Sequence, residues 1–464
     1  MRGLSSEKNF FYHLLFSIAK FFDLFDNAVF LWYILTVADK YALLSVSDKS
    51  GIVSLAKSLA ESDFKIISTG GTAKALTDAG IKVIPIQEIT GNPESFDGRM
   101  KTISFQIEGG ILFDRTNPFH VKQAEDLGIK NIDLVVANLY PFEQTIQNPK
   151  ATINQAVESI DVGGPTMVRA AAKNFKNVLV VVDPKDYEEV AKAIKTNSTT
   201  EKLRQSLAAK AFQHLSFYDA QIARYLNNEQ FPEELTLPGR KKIQLRYGEN
   251  PHQKAAVYLE PNTNSPLANL QKLTGRDLSY LNFTDISAGL EVVRMFTTPA
   301  AVVIKHNNPS GVALGDSPAQ ALQRAVAADP ESAFGGIMVL NKSLDLQTAK
   351  TFADFKEESG VLIDIVAAPS INPDAQEFIK TVRKTTGIYT FGTIPGKGLI
   401  PPISSFLTAD LWRKTGMTTL IFLNGRSSPR KNQPSNKDSK WKLPGNLSAE
   451  LNPIPLLSLI KICP

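Results

Sequence analysis

The sequence predicts an α/β protein with more than one domain. At 464 residues the chain is too long for one ordinary hydrophobic core. From residue 41 onward, short apolar runs alternate with segments of helical spacing, which is typical of a parallel sheet covered by helices on both faces. Two runs, at 134–137 and 178–182, are apolar without interruption, as expected of strands buried on both faces.

The order of these elements divides the chain into four parts. The first domain, 41–197, has predicted strands at 41–46, 64–68, 82–86, 134–137 and 178–182 and helices at 51–59, 72–78 and 187–195. A polar linker at 196–200 leads into a second α/β domain, 198–386, with a helix at 201–225 and apolar runs at 301–304, 336–340 and 361–368. An extension at 1–40 precedes the two domains and a tail at 387–464 follows them.

The extension at 1–40 is rich in aromatic residues and holds ten of them. After Asp26 only twelve uncharged residues follow before the next charge, which is fewer than the roughly 20 that a membrane-spanning helix needs. Three interpretations stay open: an interfacial anchor, an added structural helix, or non-native sequence ahead of a true start near Val37. The last is favoured.

The formal net charge of +5 is concentrated in the tail. Residues 387–464 carry ten Lys or Arg against three Asp or Glu, a surplus of seven that leaves −2 for the rest of the chain. A nucleic-acid-binding domain would carry such a surplus on its folded part. With nine of the 27 prolines and no sustained periodicity, the tail is predicted to be disordered or foreign. The single cysteine, Cys463, excludes an intrachain disulfide and a cysteine-based metal site.

Two loops of the first domain have the composition of a phosphate site. Ser45-Val-Ser-Asp-Lys-Ser-Gly51 follows the first strand, and Ser68-Thr-Gly-Gly-Thr72 follows the second. Ligands of open parallel sheets bind at the carboxyl ends of the strands, and glycines at a helix N-terminus let backbone N–H groups approach an anion. A capped helix start or a plain turn is the alternative for each loop. Their position on neighbouring strands favours a nucleotide phosphate.

Three further segments carry reactive side chains. Asp97-Gly-Arg-Met-Lys-Thr102 combines two cations with a hydroxyl, although a solvated charged loop is the alternative. Asn138-Leu-Tyr-Pro-Phe142 follows a buried strand, which predicts Asn138 and Tyr140 at the ligand edge of the sheet. Ile160-Asp-Val-Gly-Gly-Pro-Thr-Met-Val-Arg-Ala-Ala-Ala-Lys-Asn174 puts Asp161 before a predicted helix and Lys173 after three alanines.

In this order the motifs resemble the IMP cyclohydrolase half of the bifunctional enzyme that ends de novo purine synthesis, whose other half is the AICAR transformylase. The resemblance covers about residues 41–383. It implies a methylglyoxal-synthase-like parallel-sheet domain followed by an incomplete cytidine-deaminase-like α/β/α transformylase domain. It also implies a cytoplasmic enzyme that binds purine ribonucleotides and folate, but neither nucleic acid nor membrane, and that is a homodimer if the second domain folds.

For the first domain, the resemblance implies that the carboxamide nitrogen of FAICAR attacks the neighbouring formyl carbon and that water leaves to give IMP. Both groups lie on one ring, so orientation and charge stabilisation carry the catalysis, and no metal or cofactor is implied. Lys101 would stabilise the oxyanion, Tyr140 and Asp161 would position the base, and Lys173 would move the proton. Substrate binding would fall to Ser47, Asp48, Lys49, Thr69, Gly70, Gly71, Thr72, Arg99, Thr102 and Asn138.

The sequence departs from the family pattern after Thr102. The family continues with L-H-P-x-x-H-G-G-I-L, whereas this chain reads Ile103-Ser-Phe-Gln-Ile-Glu-Gly-Gly-Ile-Leu112. Both histidines are absent, while the glycines and aliphatic residues remain. We therefore expect the local fold to survive and the activity to be reduced.

The second domain carries motifs that resemble the transformylase. Leu245-Arg-Tyr-Gly-Glu-Asn-Pro-His-Gln253 would supply Arg246 for the phosphate and Tyr247 for the substrate's ring. Lys305-His-Asn-Asn-Pro-Ser-Gly311 resembles the family's catalytic motif, which implies formyl transfer from 10-formyltetrahydrofolate to the amine of AICAR. His306 would accept the proton and Lys305 would stabilise the tetrahedral oxyanion. Gly335 and Asp364 lie in segments that match the folate and substrate loops.

The family's transformylase continues into a second, homologous subdomain, which nothing after residue 387 resembles. The tail is therefore interpreted as a shifted reading frame or a truncated gene, and little or no transformylase activity is expected. Two other hypotheses stay open. One is a non-catalytic remnant that only binds purine nucleotides. The other, a membrane-attached or nucleic-acid-binding protein, depends on the two ends of the chain alone.

Overall fold

The computed structural model describes residues 39–227, 229, 232–394, 406–413 and 416–423. Nearly all of the aromatic-rich extension at 1–40 and most of the tail at 387–464 therefore lie outside the described residues. The chain separates into two compact units, Met1–Thr236 and Leu237–Pro464. Among the helices of the described residues, none combines the length and the apolar character needed to cross a membrane.

The first unit is built around a five-stranded sheet in which every strand pairs in parallel. Its strands are β1 (Lys40–Val46), β2 (Phe64–Ser68), β3 (Val83–Pro85), β4 (Ile132–Asn138) and β5 (Leu179–Val181). The central strands are apolar because both faces are covered, so that Leu43, Leu44 and Val135 are fully buried. The predicted α/β fold with a parallel sheet is confirmed.

The helices of the first unit lie between and after these strands. They are α1 (Ile52–Ala60), α2 (Gly70–Asp78), α3 (Ile86–Thr90), α4 (Phe105–Leu112), α5 (Pro118–Asp126), α6 (Phe142–Gln147), α7 (Ile153–Glu158), α8 (Gly163–Lys173), α9 (Tyr187–Lys195) and α10 (Glu201–Leu226). The helix α4 forms across the segment that departs from the family pattern. It buries Ile107, Gly110 and Ile111, which agrees with the expectation that the local fold survives there.

The strand order, β3-β2-β1-β4-β5, reverses direction between β1 and β4. In open parallel sheets the carboxyl ends of the strands on either side of such a reversal border the crevice in which ligands bind. The loops after Val46 and Asn138 both begin at this point, because these two residues are register partners at the ends of their strands.

The long helix α10 packs against β5 and α8 of the first unit. Ala208, Ala211 and Leu215 of this helix are buried in the same apolar cluster as the sheet. The domain boundary predicted from the sequence lies between 197 and 198, before this helix, whereas the compact units divide between Thr236 and Leu237. The boundary at 197 stays a prediction about where the two activities meet in the sequence.

The second unit contains a six-stranded mixed sheet of order β10-β9-β11-β12-β13-β8. Its strands are β8 (Gln271–Thr274), β9 (Ala300–Lys305), β10 (Asn308–Leu314), β11 (Ile337–Leu340), β12 (Ile365–Ala368) and β13 (Gly387–Thr390). The predicted tail begins at residue 387, but β13 belongs to this sheet and pairs in parallel with β12. The start of the tail is corrected to a later point, because Ile388, Tyr389 and Phe391 are buried in the core.

A four-stranded sheet of order β14-β15-β7-β6 and five helices complete the described part of the second unit. The strands are β6 (Arg240–Leu245), β7 (Lys254–Leu259), β14 (Phe406–Arg413) and β15 (Gly416–Leu423). The helices are α11 (Tyr280–Val293), α12 (Pro318–Ala327), α13 (Pro330–Ala333), α14 (Leu346–Glu358) and α15 (Pro373–Val382). Two further segments of the predicted tail thus form strands, since β15 pairs with β7.

Candidate functional site

A cavity of about 650 Å³ opens at the carboxyl ends of β1, β2 and β4 in the first unit. This volume lies within the usual range of small-molecule sites. The predicted site residues that line it are Ser47, Lys49, Thr69, Gly70, Gly71, Thr72, Arg99, Lys101, Thr102, Asn138, Tyr140 and Asp161. Five segments that are distant in the sequence therefore meet at one place, and three of them directly follow the strands β1, β2 and β4.

Asn138 fixes the loop after β1 against the end of β4. Its side-chain oxygen accepts the backbone N–H groups of Ser47 at 2.6 Å and Asp48 at 2.8 Å, and its amide donates to the carbonyl of Asp48 at 2.9 Å. Because this single side chain satisfies three backbone groups, it sets the path of the loop. Asp48 itself does not line the cavity. Its carboxylate accepts hydrogen bonds from Ser50, and these lower its pKa.

The first residues of α2, Gly70, Gly71 and Thr72, line the cavity, and the first N–H groups of a helix have no partner within the helix. Thr69 is the N-cap residue, but its hydroxyl makes no cap hydrogen bond and, although buried, has no partner within the described residues. Lys49 lies over the same turn, since a side-chain carbon at Gly71 would be 3.6 Å from its ammonium nitrogen. Unpaired N–H groups, an unpaired hydroxyl and an adjacent cation together form a site for an anion.

Thr72 attaches α2 to the end of β1. Its hydroxyl accepts the N–H of Val46 at 3.1 Å and donates to the carbonyl of Val46 at 2.9 Å. The residue is buried, and both bonds bridge separate elements. Thr72 is therefore a structural support of this turn, whereas the hydroxyl of Thr69 has no partner within the described residues.

A short hairpin presents the cations of the third loop. Ser95 and Met100 form an antiparallel bridge, and residues Phe96, Asp97 and Gly98 between them all have positive φ. Lys101, directly after the bridge, forms a salt bridge of 2.8 Å with Glu94, directly before it. Arg99 pairs with Glu158 of α7. Both cations of this loop are thus paired with carboxylates in this structure.

Asp161 is held in place by backbone groups and by a side chain of α10. Its carboxylate accepts the N–H of Gly164 at 2.8 Å and that of Tyr140, and burial raises its pKa despite these bonds. Its own N–H donates to the phenol oxygen of Tyr218 at 2.8 Å. Burial raises the pKa of Tyr218 to about 12, which keeps this hydroxyl neutral. Tyr218 could not be found from sequence motifs, because it lies 57 residues from Asp161 on a helix that carries no motif.

Lys173 does not reach the cavity. It is exposed at the last residue of α8, whose first residues line the cavity. Met167 of the same helix also lines the cavity, six positions before Lys173. The structure therefore does not place Lys173 among the lining residues with Lys101, and its role in moving the proton stays a prediction.

Ser104 and Glu108 occupy the positions of the family's two histidines. Ser104 is the N-cap of α4, and its hydroxyl accepts the N–H of Ile107 at 3.1 Å. Glu108 is half-buried, and burial raises the pKa of its carboxyl to about 7. One of its oxygens lacks a hydrogen-bond partner in the part of the chain that the structure describes. Ser104 compensates for the departure as a helix cap, whereas nothing in the structure explains the choice of glutamate.

In the second unit, Lys305 and His306 lie at the end of β9. The ammonium of Lys305 donates to the backbone carbonyl of Phe334 at 2.9 Å. Gly335, the next residue, has φ +72° and donates its N–H to Leu362 at 2.8 Å. His306 and Asn307 form the turn between β9 and β10, and both have positive φ. The structure thus brings Lys305, His306 and Gly335 to one edge of the mixed sheet.

Asp364 and Arg246 take part in ion-pair and stacking contacts. The carboxylate of Asp364 pairs with Arg276 and, at 2.9 Å, with Arg383. The guanidinium of Arg246 lies 4.7 Å from the ring centre of Tyr247 and donates to its hydroxyl at 3.1 Å. Arg246 and Tyr247, which are consecutive in the sequence, thus contact each other, and a ligand shared by the two stays a prediction. Within the described ranges, no group of three or more His, Cys, Asp or Glu residues is arranged to hold a metal ion.

Comparison with known proteins identifies the family. The family model described as AICARFT/IMPCHase bienzyme matches residues 171–395, and an MGS-like domain matches 51–166. The bifunctional purine biosynthesis protein PurH of Shouchella clausii is 48% identical over 368 residues, which are 77% of this chain and 71% of that protein. This chain belongs to the AICARFT/IMPCHase bienzyme family.

Other relatives agree with this assignment. PurH of Oceanobacillus iheyensis is 48% identical over 344 residues, 73% of this chain and 66% of that protein. PurH of a Bacillus cereus strain is 47% identical over 408 residues, 87% of this chain and 78% of that protein. The chain thus matches about two thirds to four fifths of these relatives' length. The predicted methylglyoxal-synthase-like first domain and the family resemblance are confirmed.

Proposed function

We propose that the first unit cyclises FAICAR to IMP with loss of water. The observation that supports this most directly is the cavity of about 650 Å³, in which an anion site at the N-terminus of α2 faces two cations and a buried carboxyl group. The 5′-phosphate of the substrate would bind at Thr69, Gly70 and Gly71 with Lys49. The imidazole ring would then extend toward Lys101 and Asp161.

The reaction removes two protons and one oxygen. The carboxamide nitrogen forms a bond to the formyl carbon and loses one proton, and the formamido nitrogen loses the other as its double bond to that carbon forms. The former formyl oxygen leaves with both protons as water. Lys101 would stabilise the negative charge on that oxygen, because an ammonium in a cavity interacts more strongly with a developing charge than in bulk water. Asp161 and the backbone of Tyr140 would orient the carboxamide. The proposal assigns no step to Lys173.

We infer that the second unit contributes to formyl transfer from 10-formyltetrahydrofolate to AICAR, with His306 as proton acceptor and Lys305 as oxyanion stabiliser. Gly335, Asp364, Arg246 and Tyr247 would bind the two ligands. The match to the family model ends at residue 395. We therefore propose that formyl transfer by this chain is impaired, while cyclisation is retained.

The assay for the first activity is direct. Purified chain is mixed with FAICAR, and IMP formation is followed by ultraviolet absorbance and confirmed by chromatography. We expect turnover by the chain and a rate that is about 100-fold to 1000-fold lower with the variant Lys101→Ala. IMP formation that is equal in the two samples would contradict the proposal.

A non-catalytic protein that binds purine nucleotides is the second candidate. It is favoured by the position of Lys173 outside the cavity and by Ser104 and Glu108 in place of histidines. Calorimetric titration with IMP distinguishes the two. Binding of IMP together with FAICAR turnover supports the enzyme, and binding without turnover supports the second candidate.

The remaining expectations concern location and assembly. We propose a cytoplasmic homodimer without nucleic-acid or membrane partners, on the basis of the family and of a charge surplus confined to the tail. In the family the transformylase sites form between two chains. Native mass spectrometry of the full chain tests the dimer, for which a monomer at micromolar concentration would be the contrary result.

A further inference from the structure

The turn that carries His306 has an unusual backbone. Lys305 and Asn308 are paired across β9 and β10, so His306 and Asn307 alone connect the strands. Their φ angles are +55° and +62°. Two-residue hairpin turns of this type require positive φ at both central positions and for that reason favour Asn-Gly or Gly-Gly. His and Asn tolerate such angles better than most residues, but not as freely as glycine.

Asp285 of α11 supports this turn from inside the unit. Its carboxylate is buried, with 5% of the residue exposed, whereas His306 and Asn307 are exposed. One carboxylate oxygen accepts the N–H of Asn307 at 2.6 Å, and the N–H of His306 also donates to the carboxylate. Both amides of the turn are therefore bonded to one acidic side chain from another element.

The positive φ angles of the turn and the buried carboxylate of Asp285 are explained together. Backbone angles that are unfavourable for non-glycine residues persist only where surrounding contacts determine them, and they concentrate at functional sites. Burying a carboxylate is also unfavourable unless hydrogen bonds compensate for the lost solvation. Here the turn and the carboxylate of Asp285 stabilise each other. The two N–H groups that the turn leaves outside the strand pairing satisfy the buried carboxylate, and the carboxylate holds the turn in its unfavourable backbone conformation. The position of the His306 backbone thus depends on Asp285.

We propose that Asp285 is a positioning residue for His306 in formyl transfer. By bonding both amides of the turn, its carboxylate fixes the backbone from which the imidazole reaches the substrate amine. Asp285 does not itself contact the reacting atoms. This inference rests on the proposed role of His306, and its test therefore includes readouts that do not require formyl transfer.

The test uses the full chain labelled with ¹⁵N-histidine. Its five histidines give few signals, and His306→Gln assigns the one of interest. In Asp285→Asn and Asp285→Ala we expect the His306 amide to exchange with solvent about tenfold faster or more, because it loses a charged acceptor. The imidazole signal of His306 should also move, while the other histidines keep their signals. Ser287→Ala, a change at another buried polar residue of the same helix, serves as the matched control.

A second substitution separates positioning from general destabilisation. Glycine adopts positive φ without cost, so Asn307→Gly in the Asp285→Ala background should return the His306 imidazole signal toward that of the wild type. The His306 amide should still exchange fast, since its acceptor remains absent. Recovery of the ring signal without amide protection would support positioning.

Two results would overturn the inference. One is an unchanged His306 signal and amide exchange rate in both Asp285 variants, as in the Ser287→Ala control. The other is a failure of Asn307→Gly to recover the ring signal. Where formyl transfer is measurable, kcat should fall about tenfold in Asp285→Asn with an unchanged KM for AICAR. Absence of formyl transfer in the wild type would contradict the proposed second activity, whereas the histidine spectra would still decide the role of Asp285.

Discussion

The two units hold their candidate catalytic lysines in different ways. In the first unit, Lys101 follows a surface hairpin, and its ammonium pairs with the carboxylate of Glu94 at 2.8 Å. In the second unit, Lys305 ends the strand β9, which lies between β10 and β11, and its ammonium donates to the backbone carbonyl of Phe334 at 2.9 Å. One cation has a side chain of opposite charge as its partner, and the other has a fixed backbone dipole.

This difference indicates how each site would respond to its ligand. An anionic ligand can replace a carboxylate as the partner of a lysine, because the two carry the same charge. The Arg99–Glu158 pair repeats the arrangement at the same cavity. We infer that ligand binding completes the first site, whereas the sheet and Asp285 set the geometry of the second site in advance.

The largest effect should come from removing Lys101, the lysine whose carboxylate partner an anionic ligand can replace. Lys101→Ala should lower kcat for cyclisation about 100-fold to 1000-fold, the usual effect of removing a group that stabilises a developing oxyanion. The matched control is Lys173→Ala, which removes an exposed lysine outside the cavity and should change kcat less than about twofold. Initial rates of IMP formation give both values. Equal losses in the two variants would show that the cavity geometry misidentifies the catalytic lysine.

A second experiment concerns Asp161, whose position in the first site is fixed by hydrogen bonds within the protein. Tyr218→Phe deprives the N–H of Asp161 of its acceptor, and an unsatisfied buried donor costs about 1–3 kcal/mol of the free energy of unfolding. Urea unfolding measures this loss, and cyclisation should slow in parallel because Asp161 shifts. Tyr225→Phe is the control, since Tyr225 lies on the same helix and contacts Phe142 through its ring. A stable but inactive Tyr218→Phe variant would instead indicate direct contact with the substrate.

The anion site offers a test in which stability and affinity change in opposite directions. Thr69→Val removes a buried hydroxyl that has no partner in the described structure, so the free energy of unfolding should stay equal or rise by up to about 1 kcal/mol. The affinity for IMP should nevertheless fall about tenfold, because the phosphate loses a donor. Thr72→Val should lower both the free energy of unfolding and the affinity for IMP, since the hydroxyl of Thr72 forms hydrogen bonds of 2.9 and 3.1 Å with the backbone of Val46. Calorimetry and urea unfolding measure the two effects. Unchanged IMP binding in Thr69→Val would place the phosphate elsewhere.

The smallest expected effect depends on pH and on the first unit alone. The pKa of Glu108 is raised from 4.5 to about 7 in the folded chain, so the folded state holds its proton longer than the unfolded state does. The stability that this provides is complete below pH 4.5 and is lost as the pH rises toward 7. Glu108→Gln keeps a neutral side chain at every pH. The free energy of unfolding of Glu108→Gln, relative to that of the wild type, should therefore increase between pH 4.5 and about 7 and stay constant at higher pH.

Urea midpoints at several pH values give the comparison for Glu108→Gln. Hydrogen exchange in β4 and β11 shows which unit responds, and only β4 should. Glu125→Gln, at an exposed position of α5, is the control and should show no such trend. A pH-independent difference between Glu108→Gln and the wild type would contradict the burial of this carboxyl group.

The sheet and the cavity could be predicted from the sequence because local patterns determine them. Parallel strands buried on both faces have to be apolar throughout, and the loops that follow them have to meet at one edge. The position of Lys173 could not be inferred in this way. Its motif is continuous in sequence with Asp161, yet the helix between them carries it away from the cavity. Tyr218 and Asp285 were missed for a related reason, since each is a single polar residue on a helix whose partner lies more than twenty residues away.

The boundary of the second sheet shows another limit. The strand β13 has only four residues, begins with Gly387 and follows a turn of polar residues. Such a segment has no periodicity of its own, and it becomes a strand because β12 and β8 lie on either side of it. A short strand of this kind is recognised from its neighbours in the sheet, and a single sequence does not reveal which strands those are.

The helix α10 has a practical consequence for anyone who wishes to isolate the first activity. It supplies Tyr218 to Asp161, and its Lys210 forms salt bridges of 2.8 Å with Asp183 and Asp186 beyond β5. An expression fragment that stops at residue 197 would lose these contacts and would leave the apolar surface of β5 open to water. A minimal cyclohydrolase excised from this gene should therefore extend to about residue 227, where this helix ends.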